Sequence, residues 1–185
     1  GNVAGLSDEA LQRIVDQDKA DNAPATPPES GPAGDVSDPA VALAQCSDAL
    51  ARLDQAALDR ALQDARASMT LPVLLEEVVA PLMHEAGAKW QSGEWRIAHE
   101  HLASAAVRKT LVDPFRPSRI SEYAPVIVVA TPAGQHHEIG AMMVCAQAAA
   151  EGWRDVYLGP DTPAAEVVYA VREARARAVA LSVVF

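Results

Sequence analysis

The strongest constraint on the fold is one uninterrupted apolar run, Val126-Ile127-Val128-Val129-Ala130, between Pro125 and Thr131-Pro132-Ala133-Gly134. Such a run reads as a strand buried on both faces, the situation inside a parallel sheet covered by helices. The residues after it continue that pattern. A loop and a helix over about 138–151 precede a second strand, Val156-Tyr157-Leu158. The turn Gly159-Pro160-Asp161-Thr162-Pro163 follows, and Pro163 opens a further helix to about Arg177. A third apolar segment then runs from Val179 to Phe185. Strand, helix, strand, helix, strand predicts a doubly wound parallel sheet of the Rossmann-like or flavodoxin-like kind. Three strands leave the last one as a long Val-rich edge, so the sheet reads as truncated after strand three.

Residues 39–113 carry a helical period instead. Val41, Leu43, Ala44, Leu50 and Leu53 supply one apolar stripe after Asp38-Pro39. Asp54 is placed to cap a second helix with Leu58, Leu62 and Ala65. Thr70 is placed to cap a third, through Val73, Leu74, Val78, Val79, Leu82 and Met83 to Trp90, with Pro81 as a kink. Gln91-Ser92-Gly93-Glu94 turns the chain into a fourth, with Ile97, Leu102, Ala105, Ala106 and Leu111. Four helices on short connections predict a small bundle. Aromatic residues are only 4% of the chain, so its core must be built mainly from Ala, Val and Leu.

The first 38 residues differ again. They hold eight acids and two bases, six of the ten net negative charges. Ser7 begins a capped helical stretch through Val15, and residues 21–38, rich in Pro, Gly, Ser and Ala, read as a flexible linker. The acidic balance argues against a nucleic-acid surface on these residues, which needs a basic stripe. No apolar run approaches the roughly 20 residues of a membrane span, so no membrane partner is expected. Cys46 and Cys145 match no metal spacing and read as buried thiols of a cytoplasmic protein.

Four of the five histidines fall in two places where chemistry is expected. Gln135-His136-His137-Glu138-Ile139-Gly140 follows the first strand, and in an open α/β sheet ligands bind outside the carboxyl ends of the strands. Gly140 permits close approach of a bulky group. The second place is Trp90, then nine residues, then Glu100-His101, on two arms of one helical hairpin. An indole offers a flat face, and a carboxylate accepts hydrogen bonds from hydroxyl or amine. Taken alone, the first pattern is equally compatible with two surface histidines, and the second reads more readily as a packing tryptophan and a solvated acid. His84 reads as a half-buried polar contact, His136 as exposed, Trp95 and Trp153 as packing residues. Arg172, Arg175 and Arg177 read as a solvated helix face.

The two patterns together resemble a known family. His137-Glu138-Ile139-Gly140 is similar to the Asp/Glu-x-His-x-x-Gly signature of cobalamin-binding domains. Leu158–Pro163 and Leu181-Ser182-Val183-Val184 look like that domain's second loop and its Ser-x-Leu segment. Trp90 with Glu100-His101 matches the W-x9-E-H pattern of cobalamin-dependent, light-responsive regulators of the MerR type, the CarH group. The resemblance covers all but the linker. It implies residues 1–20 as the tail of a winged-helix domain, 21–38 as linker, 39–118 as a helical cap and 119–185 as an incomplete Rossmann-like domain.

The resemblance also implies roles. His137 would be the lower axial ligand to the cobalt of cobalamin, with Gln135 beside it, and Gly140 and Ser182 would line the pocket for the nucleotide tail. Trp90 would cover the upper axial group, while Glu100 and His101 would hold an adenosyl sugar and base. Adenosylcobalamin is the expected form, ahead of methylcobalamin. No catalytic residue is implied. The expected partners are a second copy, in a dimer or tetramer, and DNA through a domain ahead of residue 1. Three positions depart from the pattern: the usual acid is Gln135, Val184 stands where the family has Leu, and the residue after the Trp is Gln91, where photoreceptor members carry a His. His84, His99 or water would then have to take that position. The alternatives are a corrinoid protein of a methyltransferase system and a light-independent cobalamin sensor. Against the first, Gly140 is followed by Ala141-Met142-Met143, where methyl carriers continue with Gly-Lys-Asn.

Overall fold

A computed structural model describes residues 38–112 and 120–184, within a compact unit running from Asp35 to Phe185. The expected helix after Ser7, residues 1–20 and nearly all of the linker lie outside the described residues.

The helical half begins with α1 (Pro39–Ala51) and α2 (Gln55–Ser68). Asp38 and Asp54 cap them as expected, accepting the Ala40 and Ala57 backbone N–H groups at 2.9 Å each. α3 (Leu71–Val73) runs into a π segment (Leu74–Val79) and on into α4 (Ala80–Gln91). Thr70 stands at the N-cap of α3 without a side-chain cap bond, so the expected capping is not made. The strain expected at Pro81 is taken up by the π segment. Proline lacks an N–H and its ring would collide with the carbonyl four residues back. One turn earlier the helix widens, with the Ala80 N–H donating to the Leu75 carbonyl. α5 (Ile97–Leu111) completes the bundle.

The bundle core is aliphatic: Cys46, Leu50, Leu58, Leu62, Leu74, Val78, Val79, Leu82 and Val107 are fully buried. Three expected faces need correction. On α1 the buried row is Ala42, Cys46, Ala49 and Leu50, whereas Ala44 is exposed and Leu53 sits exposed in a left-handed turn at φ 53°. Small side chains let α1 and α2 approach closely, so the packed row is not the row of largest residues. On α5, Ile97 and Ala105 are exposed, and on α4 His84 is exposed instead of half-buried.

The second half is a three-stranded parallel sheet in the order β2-β1-β3. It is built from β1 (Val126–Ala130), α6 (Ile139–Ala150), β2 (Arg154–Tyr157), α7 (Ala164–Glu173) and β3 (Ala178–Leu181). β1 is central, pairing Val128 with Val156 on one side and with Val179 on the other. β2 and β3 begin earlier than the apolar pattern indicated, and α7 stops at Glu173 rather than near Arg177, because the chain leaves the helix through Arg175 at φ 49°. Two right-handed crossovers in opposite directions put α6 and α7 on opposite faces. α6 is shared between the halves: Met142 and Ala146 belong to the same buried cluster as Leu50, Leu82 and Val107. β3 is an open edge, with Val179 and Leu181 exposed.

Candidate functional site

Strand order reverses at β1, so the crevice that an open α/β sheet offers a ligand lies at the carboxyl ends of β1 and β3. The loop after β1 carries His137 there. It is held in shape by the turn after β2: Thr131 N–H donates to the Gly159 carbonyl at 3.1 Å and Thr162 N–H to the Thr131 carbonyl at 2.9 Å. Asp161, itself in a left-handed conformation at φ 55°, accepts the Gly134 N–H at 2.7 Å and donates its own N–H to the Gln135 carbonyl at 2.9 Å. His136 and His137 are exposed, and the His137 ring makes no hydrogen bond to any described residue. Its nitrogens are therefore available.

On the other wall, Ser182 N–H donates to the Ala130 carbonyl at 3.0 Å, which fixes the end of β3 against β1. A Cβ at Gly140 would lie 2.6 Å from Ser182 Oγ. The serine hydroxyl thus reaches into space that any other residue at 140 would fill. Thr131 Oγ1, at the end of the central strand, is buried without a hydrogen-bond partner among the described residues. An orphaned hydroxyl and a glycine cradle at the mouth of a sheet suit a ligand with polar groups entering the crevice.

The bundle supplies the facing wall. Glu100 Oε1 accepts from Ser104 Oγ and Oε2 pairs with His101 Nδ1, each at 2.7 Å. Burial works to raise the Glu100 carboxyl. The Ser104 and His101 hydrogen bonds and the charges of His101 and His137 outweigh it and hold the group below the ordinary carboxylate range. Glu100 is consequently ionised at neutral pH. Trp90, in the last turn of α4, and Ile97, one turn before Glu100, are 45% and 50% exposed. Two large apolar side chains are thus open in the hairpin that carries the half-buried carboxylate, which suits that hairpin to a partly apolar ligand.

The hairpin between Trp90 and Glu100 is fixed by Trp95. Its N–H donates to the Lys89 carbonyl at 2.9 Å, its ring stacks on His99 at 5.3 Å, and Lys89 Nζ lies 4.4 Å from the ring centroid. His99 Nδ1 accepts the Arg96 N–H at 3.1 Å, which engages that imidazole at the start of α5. The expected packing role of Trp95 holds, and Trp153 is half-buried.

Several residues of this region escaped the sequence. Arg108 Nε donates to Glu138 Oε1 at 2.8 Å, and the Tyr157 hydroxyl donates to Glu138 Oε2 at 2.5 Å. Only one signal marked Glu138, an acid next to His137. Asp161 was marked only as part of the loop 158–163, and nothing marked Arg108, Tyr157 or Thr131 for these roles, because the roles arise from elements distant in sequence.

His137 is a single imidazole: no three metal-ligating side chains converge among the described residues. One nitrogen suits a metal whose other positions are filled by a macrocycle, as in a corrinoid. Comparison with known proteins defines the class. Residues 42–111 match the model of one B12 binding domain and residues 125–185 match that of a second. Bundle and sheet are both covered, and the chain belongs to the B12-binding-domain family. Two curated relatives narrow it further. The chain is 34% identical over 125 residues to the HTH-type transcriptional repressor CarA of Myxococcus xanthus, covering 68% of this chain and 42% of that one. It is 30% identical over 131 residues to the HTH-type transcriptional repressor CarH of the same organism, covering 71% of this chain and 44% of that one. The resemblance to the CarH group is borne out, and the chain spans under half the length of these relatives. The Methanosarcina barkeri monomethylamine corrinoid protein has the same fold, with a TM-score of 0.61 at 18% identity over 78% of this chain and 69% of its own.

Proposed function

We propose that the chain is the cobalamin-sensing portion of a transcriptional regulator, with His137 as the lower ligand to cobalt and the helical bundle closing over the upper face. The observation that carries this reading is an exposed imidazole on the loop after the central strand, without a hydrogen-bond partner among the described residues, together with the Gly140–Ser182 cradle and the orphaned Thr131 hydroxyl at the mouth of the same sheet. Gly140, Ser182 and Thr131 line the crevice for the nucleotide tail, and Gln135 stands by to accept an imidazole N–H through its amide oxygen. Trp90 and Ile97 would shield the upper group. Glu100 would accept hydrogen bonds from ribose hydroxyls, with His101 beside it. Adenosylcobalamin is the form we assign to this wall, since a methyl group offers no donor to Glu100 and no flat surface to Trp90.

When bound, that form brings a cobalt–carbon bond that light breaks. Trp90 and Glu100 would then lose the group they are assigned to hold, and with it the contacts that favour one packing of the bundle against the sheet. A ligand shifts an assembly only through such differential contacts. Self-association in darkness and its loss in light follow, with DNA contacted by residues outside this chain.

The test is to load the 185-residue chain with adenosylcobalamin in darkness, record its absorption spectrum and measure its size before and after green light. A larger dark species that shrinks on illumination is expected, with an altered spectrum in His137→Ala. An unchanged elution volume rejects the light switch, and an unchanged His137→Ala spectrum rejects the ligand assignment.

A further inference from the structure

Glu138 is the residue between His137 and the first residue of α6, and its side chain spans three parts of the molecule. Its carboxylate is largely buried, with 18% of the side chain accessible. One oxygen takes the Arg108 Nε from α5 at 2.8 Å and the other takes the Tyr157 hydroxyl from the end of β2 at 2.5 Å. Glu138 makes no cap bond to its own helix, although it stands at the N-cap of α6, where a carboxylate ordinarily bonds the free N–H groups. The carboxylate is thus committed outward, to bundle and sheet at once.

We infer that Arg108, Glu138 and Tyr157 form a positioning network that sets the place of His137 and ties it to the helical bundle. The inference rests on the cobalamin reading above. Bonds to a charged group are about twice as strong as neutral ones and direct geometry closely. Arg108 is two turns along α5 from Glu100, so the helix that offers a carboxylate to the upper side of the site also holds the loop on the lower side. A displacement of α5 therefore pulls on the residue next to His137. Tyr157 anchors the other oxygen to the sheet, and it stays a neutral donor throughout the working range. Burial, then the hydrogen bond and charge of Glu138, push its phenol well above the ordinary value. Gln135 does not replace this acid: its backbone is used by Asp161, and a neutral amide cannot hold a guanidinium.

The test uses Arg108→Gln, Glu138→Gln and Tyr157→Phe in the full chain, with two readouts. The first is hydrogen exchange of backbone amides 133–138 without cobalamin. The second is the affinity and absorption spectrum of the chain with adenosylcobalamin in darkness. Faster exchange in Arg108→Gln and Glu138→Gln, with affinity about tenfold to a hundredfold weaker, is expected. The charge-reversed pair Arg108→Glu with Glu138→Arg should recover affinity over Glu138→Arg alone, which loss of folding would not allow. Unchanged exchange overturns the network. Faster exchange with unaltered affinity and spectrum overturns its positioning role. Failure of the ligand reading is seen separately, as an unaltered spectrum in His137→Ala, because exchange is measured before any cobalamin is added.

Discussion

Burial leaves its clearest mark on Cys46, whose thiol is pushed from 9.0 to about 12 by loss of hydration inside the bundle. A group whose value is raised on folding adds stability that is fully present below its unfolded value and disappears as pH climbs through the folded one. The loss at Cys46 should therefore run from about pH 9 toward 12. Near pH 10.5 it amounts to about 2 kcal/mol, at about 1.4 kcal/mol per pH step. Tyr157 shifts in the same direction and extends the loss to higher pH. Urea midpoints at pH 7, 9 and 10.5 test this: the fall should be steeper in the parent chain than in Cys46→Ala. Parallel curves would refute the assignment. The candidate site itself was partly legible at this scale. His137, Glu100, Gly140 and Ser182 stand in motifs that can be read along the chain, while Glu138's two partners come from 30 residues upstream and 19 downstream. Only folding brings them together.

At the scale of elements, the existence of each helix and strand was legible, and their orientation less so. The central strand followed from Val126–Ala130 because a parallel strand buried on both faces needs no alternation. The packed row of α1 did not follow from its largest side chains, since close helix contact selects Ala42 and Ala49. Caps show the same limit. Asp54 and Thr70 occupy equivalent positions in sequence, yet only Asp54 bonds a free N–H, that of Ala57 at 2.9 Å. Asp54→Ala should cost about 1 kcal/mol in urea unfolding and Thr70→Ala well under half of that. Equal losses would show that the hydrogen bond is not what distinguishes them. Pro81 illustrates a third case, in which the sequence located the strain and the structure chose a π segment to accommodate it.

The whole described unit is organised around α6, which belongs to the sheet by connection and to the bundle by packing. Met142 and Ala146 lie in the bundle's core cluster, and the Arg108–Glu138 ion pair adds a polar tie at the start of the same helix. A sheet of three strands with an open edge buries little on its own, and α7 contributes no fully buried residue to it. The sheet therefore depends on the bundle through α6, and the two should unfold together. Pulsed hydrogen exchange across a urea series checks this, with residues 42–111 and 125–181 expected to reach the same midpoint. Met142→Ala removes a side chain that is 8% exposed at the junction. It should lower both midpoints together, through a loss of roughly 2–5 kcal/mol of stability, the usual range for truncating a buried Met. Two separated transitions in the parent chain would mean that the halves are independent bodies. In that case α5 would have no rigid connection through which a change at Glu100 reaches His137, and coupling between the two walls would have to pass through the Arg108–Glu138 pair alone.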